Sequence, residues 1–246
     1  MNKVHLIMPM GGAGSRFFKN GFILPKPLIE IEGKPFLYWS TKCISKYVDV
    51  VDITFVILKE HKEKFDLENK IKEHFPEANI VVLDKMLAGA VLTCKEGVAQ
   101  ISDDLPIVFN DCDQIFGCKE FFEYCNSGEY SSFDGALLSF NSTEPRYSFL
   151  ELGENGFVKK TVEKVAISNY AICGAYYFKN KDVFLENVKD YLVNCDYSEY
   201  FMSGVYNSMI KNNCKIKKFD VDYHLSFGTP EEYEVAKGSV YFKELK

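Results

Sequence analysis

Apolar runs with little polar interruption alternate with longer, helically spaced segments through the first half of the chain. Residues 4–8, 53–58, 80–83 and 106–110 are mostly apolar on successive positions, the pattern of strands buried on both faces. Residues 35–47, 61–75 and 90–100 carry helical spacing. In 61–75 the apolar positions are Phe65, Leu67, Ile71 and Phe75, and lysine and glutamate fill the other face. This alternation predicts βαβ units with right-handed crossovers, hence an α/β fold: an αβα sandwich on a mostly parallel central sheet.

After Asn110 the rhythm shortens. Candidate strands at 133–140, 149–152, 156–165 and 171–178 follow one another closely, with the turn Gly153-Glu154-Asn155-Gly156 between two of them. That spacing predicts a small antiparallel extension. Helical patterns at 181–192 and 199–212, a strand at 215–221 and a last helix from Pro230 complete the chain. Thr229 is a natural N-cap for that helix, and proline suits its first position. No linker, repeat or low-complexity stretch interrupts residues 1–246, so a single domain is expected.

The chain has 246 residues, 47% hydrophobic and 26% charged, enough to bury about 70 to 75% of its unfolded surface without disulfide staples. Against 29 lysines and arginines stand 35 aspartates and glutamates, a formal charge of −6. That balance argues against a nucleic-acid partner. It leaves room for a small phosphorylated ligand, which needs only a few well-placed cations. The eight cysteines contain no Cys-x-x-Cys pair and read as free, mostly buried thiols. The apolar run before Pro9 is too short for a signal peptide, and the longest other candidate, 48–58, is broken by Asp49, Asp52 and Thr54. A cytoplasmic chain without a membrane partner is the expectation.

Ligands of open parallel sheets bind beyond the carboxyl ends of the strands, and two loops there are chemically loaded. Met10-Gly11-Gly12-Ala13-Gly14-Ser15-Arg16 follows the first strand, with Pro25-Lys26-Pro27 a little later. Glycines let backbone amides approach phosphate oxygens, and Arg16 and Lys26 supply the charge that phosphate requires. Phe17 stands where a dinucleotide fingerprint has its third glycine, and no Gly-Lys-Ser/Thr closes the loop, so neither of those phosphate sites is present. The second loaded segment, Asn110-Asp111-Cys112-Asp113-Gln114, ends an apolar strand. Residues two apart in extended chain point to the same side, so Asp111 and Asp113 can face one Mg²⁺, a hard cation suited to carboxylate and phosphate oxygen.

Together, Gly11-Gly12-Ala13-Gly14-Ser15-Arg16 and Pro25-Lys26-Pro27 resemble the signature of the nucleotidyltransferases that make activated sugars and related compounds, pyrophosphorylases with a GT-A-like Rossmann fold. The resemblance implies an enzyme that uses Mg²⁺, or Mn²⁺ as a substitute, to join a nucleoside triphosphate to a phosphorylated acceptor with release of pyrophosphate. It assigns Arg16 and Lys26 to catalysis. Met10, Gly11, Gly12, Ala13, Gly14, Ser15, Gly89, Ala90 and Asp111 fall to the nucleotide, although Gly89 reads equally as a glycine that opens a helix. Asp113 falls to the metal, with Asp111 and Asp222 as further candidates. Glu163, Lys164 and Asn169 fall to the acceptor, with Val165 where the family has proline. The domain then divides into a nucleotide-binding half, 1–116, and an acceptor-binding half, 117–246.

One departure stands near the end. The family's Trp-x-Asp-x-Gly-Thr-Pro becomes His224-Leu225-Ser226-Phe227-Gly228-Thr229-Pro230, with Ser226 in place of the aspartate. Either Asp220 or Asp222 moves in, or the metal relies on Asp113 and the phosphates. His224 reads as a structural histidine. The opening segment looks most like the branch associated with bacterial capsule and surface-polysaccharide genes, which implies CTP with L-glutamine phosphate first and a sugar 1-phosphate with CTP or GTP second. A glycosyltransferase or a non-catalytic regulatory module of the same fold are the other readings. A homodimer is left open.

Overall fold

The computed structural model describes residues 3–246, so the amino-terminal reading lies outside it at Met1 and Asn2. The main sheet runs in the order Val158–Glu163, Ser148–Leu152, Tyr170–Phe178, Ile107–Asn110, Val4–Met10, Val50–Leu58, Asn79–Leu83; Gly135–Asn141 also pairs with Tyr170–Phe178, and Ile216–Asp220 pairs with Gly135–Asn141. The four strands of the first half are parallel to one another. Tyr170–Phe178 joins them antiparallel, beside Ile107–Asn110. This is the α/β sandwich that the alternation predicts, with its antiparallel part grafted onto the same sheet.

The apolar runs in Val4–Met10, at 53–58 and in Ile107–Asn110 are continuous because helices cover both faces, whereas Asn79–Leu83 is the edge strand and its run is not buried on both faces: Val82 is 38% exposed and only Leu83 is buried. Leu6 and Met8 pack into a layer with Phe36, Trp39 and Phe55, while Ile7 between them packs into the other layer with Val91, Phe109 and Phe184. His5 interrupts the run and is 3% exposed. Its Nδ1 meets Asp52 and its Nε2 meets Asp103, each at 2.9 Å. Burial opposes the imidazolium, but the two carboxylates outweigh it and raise the pKa above the usual 6.5.

The helical pattern at 61–75 is two helices, Lys59–Phe65 and Leu67–His74, because Asp66 between them takes the left-handed conformation at φ 55°. Leu67 and Ile71 are buried all the same, so the apolar spacing survives a break it does not report. A two-stranded ribbon, Gln114–Gly117 against Tyr223–Ser226, carries no strong sequence signal and is decisive for the site. It carries the carboxyl-terminal segment to the end of Ile107–Asn110. All eight cysteines are free, six of them buried. Among the described residues no helix is long and apolar enough to cross a membrane.

Candidate active site

The loop after Val4–Met10 lies against the short turn Lys26–Leu28. Gly14 has φ 62°, and a Cβ there would sit 3.2 Å from Lys26 Cβ, so this position combines a left-handed backbone with close approach. The Lys26 ammonium is ion-paired with Asp113, which ties the first loaded loop to the second. Burial opposes charge on Lys26, but Asp113 foremost holds its pKa above the ordinary lysine value.

Asp111 answers the same charges in the opposite sense. Burial first, then the negative charge of Asp113, push its carboxyl up to about 7, and Lys26 offsets only part of this. Gly174, at φ 68°, makes room for it: a Cβ there would come within 2.6 Å of Asp111 Oδ2, and the Asp111 amide donates to the Gly174 carbonyl at 3.0 Å. A buried carboxylate beside a second one is a hard-oxygen donor pair that fits a divalent cation. Among the described residues no cluster of three or more His, Cys, Asp or Glu is placed to cage a metal. Such a cation would therefore draw further ligands from phosphate and water, the usual habit of Mg²⁺.

Two cavities meet at these residues. The larger, about 540 Å³, is lined by Met10, Gly12 through Arg16, Lys26 and Met86, and the smaller, about 270 Å³, by Arg146, Tyr147, Glu163, His224 and Glu232 among others. Arg16, Asp111, Asp113 and Gly228 line both. Gly11 instead faces the core, where a Cβ would lie 2.8 Å from Thr93 Oγ1.

The remaining candidates separate. Ala90 lines the smaller cavity, but Gly89 lines neither. Gly89 opens the helix Ala90–Gly97 at φ 128°, and a Cβ there would collide with the main chain of Tyr200. Glu163 Oε2 accepts from the hydroxyls of Ser148 and Ser203 at the smaller cavity. Lys164 and Asn169 are exposed and outside its lining, with the Lys164 ammonium 4.6 Å from the centre of the Phe201 ring. Asp222 is not brought to either cavity, because its Oδ2 accepts the Lys119 amide at 2.8 Å. Asp220 turns to Lys218 and Ser139, so neither aspartate takes the place of Ser226. His224 stacks on Phe140 at 4.0 Å, and its Nε2 meets Gln114 Oε1 at 2.9 Å. Burial pushes it down to about 4 and keeps the ring neutral.

Arg146, Tyr147 and Glu232 belong to no motif that the sequence offers. One signal points at the first of them: the chain has only two arginines, Arg16 and Arg146, and both line the smaller cavity.

The profile of the Nucleotidyl transferase family matches residues 5–237, and the chain belongs to that family. It is similar to the bifunctional protein GlmU of Aliarcobacter butzleri, 30% identical over 253 aligned positions that cover 98% of this chain and 54% of that one. The chain thus spans about half the length of that relative. It is 26% identical to the D-glycero-alpha-D-manno-heptose 1-phosphate guanylyltransferase of Campylobacter jejuni, over 92% of this chain and 96% of the other. Among solved structures, the nucleoside-diphosphate-sugar pyrophosphorylase of Vibrio cholerae superposes with a TM-score of 0.80 at 22% identity, over 94% of this chain and 98% of that one.

Proposed function

We propose that the protein transfers a nucleoside monophosphate from a nucleoside triphosphate to the phosphate of a small acceptor and releases pyrophosphate. The observation that carries this reading is the seam between the two cavities, where Arg16, Asp111 and Asp113 line both. The triphosphate lies in the larger cavity and the acceptor in the smaller, so an acceptor phosphate oxygen attacks the α-phosphorus with pyrophosphate leaving in line. A phosphate dianion is already a competent nucleophile, and the work of the chain is positioning and charge neutralisation. Arg16 and Lys26 hold the triphosphate and stabilise the charge that develops at the α-phosphate. Asp113, with Asp111, would hold Mg²⁺, which supplies further neutralisation of that charge. Lys26, ion-paired with Asp113, would turn to the triphosphate and leave the Asp113 carboxylate free to hold the cation.

CTP with L-glutamine phosphate, a precursor for capsule modification, is the first substrate pair to test, on the likeness of the opening segment to the capsule branch. A sugar 1-phosphate with GTP or CTP is the second reading, favoured by the match to the heptose 1-phosphate guanylyltransferase along nearly its whole length. The test is a matrix of four nucleoside triphosphates against candidate phosphates with Mg²⁺, read by pyrophosphate release. At least one pair should turn over only when both members are present. Silence across a matrix that includes glutamine phosphate and the common sugar 1-phosphates would count for a binding module of this fold.

A further inference from the structure

Arg146 stands in the connection between the strands Gly135–Asn141 and Ser148–Leu152, and its guanidinium meets two carboxylates and lies 5.0 Å from the centre of the Tyr147 ring. Nη2 lies 2.7 Å from exposed Glu144, and Nη1 lies 3.3 Å from Glu232, whose side chain is only 11% exposed. The same Glu232 oxygen accepts the Tyr147 hydroxyl at 3.0 Å. Glu232 also reaches toward the reaction centre: a Cβ at Gly228 would press on Asp113 Oδ2 and lie 3.5 Å from Glu232 Oε2. Arg146 is therefore one carboxylate away from the seam.

The charges of the smaller cavity make that position informative. Its lining carries the carboxylates of Asp111, Asp113, Glu163 and Glu232 against two cations, Arg16 and Arg146. Arg16 also lines the larger cavity, and Lys26 is on that side alone. Among the described residues Arg146 is thus the cation that the acceptor cavity has to itself. Lys164, the residue that the family resemblance points to, lies outside the lining. Arg146 and Glu232 form an ion pair at 3.3 Å, whereas a phosphate dianion accepts two parallel N–H bonds from a guanidinium and carries more charge.

We propose that Arg146 grips the anionic phosphate of the acceptor, and that Glu232 is its placeholder, holding the guanidinium in the empty site and releasing it when the phosphate arrives. This rests on the smaller cavity being the acceptor site. No bond is made or broken in the exchange: a carboxylate leaves the guanidinium, keeps the Tyr147 hydroxyl, and a phosphate takes its place.

The two residues should then act with opposite signs. Inorganic phosphate is the probe, titrated by calorimetry into the full chain and into Arg146→Gln, Arg146→Lys and Glu232→Gln, with thermal midpoints checked to establish that each folds. Arg146→Gln should weaken phosphate binding at least about tenfold, Arg146→Lys should recover part of that loss, and Glu232→Gln should tighten binding severalfold. In an active pair from the substrate matrix, the KM of the acceptor should follow the same order while the KM of the triphosphate stays put. The assignment is overturned if Arg146→Gln binds phosphate as the parent does, or if Glu232→Gln weakens binding alongside it, the sign of a merely structural ion pair. A silent matrix with opposite signs retained would remove the transferase reading and uphold the anion site. An active matrix with flat Arg146 variants would remove the Arg146 assignment alone.

Discussion

The larger cavity takes most of its wall from residues 9–27, one loop and one turn, whereas the smaller one collects residues from many elements, from Asp111 and Gln114 through Arg146, Glu163, Cys173 and Phe201 to His224 and Glu232. The first wall depends on backbone at the end of a single parallel strand, and its chemistry is close to local. The second depends on strand register: Ser226 opposite Gln114 in the ribbon, Glu163 opposite Ser148 in the antiparallel extension, and Gly174 folded over Asp111. Phosphate recognition can be local because any triphosphate presents the same groups. On the proposed assignment, an acceptor wall assembled from many elements can change its ligand without disturbing that loop.

Cutting the local side should cost most. Lys26→Ala is expected to lower kcat at least about 100-fold, the scale of losing one contact made to developing transition-state charge, with the thermal midpoint nearly unchanged. A loss under tenfold in a folded variant would contradict its role. On the assembled side, Glu163→Gln removes a charge that two serine hydroxyls hold in place. The acceptor KM should rise about tenfold, as for one charged hydrogen bond, and equal shifts in the acceptor and triphosphate KM values would mean that the two cavities are not separate sites.

Two smaller effects probe the scaffold under each side. Gly174→Ala forces a side chain into a left-handed position against Asp111 and should cost about 1–3 kcal/mol of unfolding free energy, seen as a lowered urea midpoint. His5 lies in the first strand, Val4–Met10, whose far end leads into the wall of the larger cavity. Its folded pKa is raised above 6.5, so its stabilisation is complete below that value and is lost as pH rises through the folded pKa. Because Asp103 is 46% exposed, the amount is under about 1 kcal/mol. The stability gap between the parent and His5→Asn should narrow on going from pH 6 to pH 9, and a constant gap would show that His5 stays in one protonation state.

The same contrast explains what could be read in advance. Three of the four parallel strands announce themselves as apolar runs because helices bury both of their faces, the edge strand Asn79–Leu83 being apolar without that burial, and Lys26 and Asp113 lie in charged motifs that follow strands. The break at Asp66 was illegible because one left-handed residue leaves the apolar spacing of Leu67 and Ile71 intact. Arg146 and Glu232 were illegible for a different reason. They lie 86 residues apart, and only the ribbon and the turn before Ser148 bring them within 3.3 Å. Asp222 looked available by position in the chain, but the amide of Lys119 already occupies its carboxylate.

The most direct test of the seam is stereochemical. A nucleoside triphosphate made chiral at the α-phosphorus with sulfur, turned over with its acceptor, reports how many displacements occur at that atom. Arg16, Asp111 and Asp113 placed between adjoining cavities call for one in-line attack and inversion of configuration. Retention would mean two displacements through a covalent enzyme intermediate and would contradict direct transfer between the cavities.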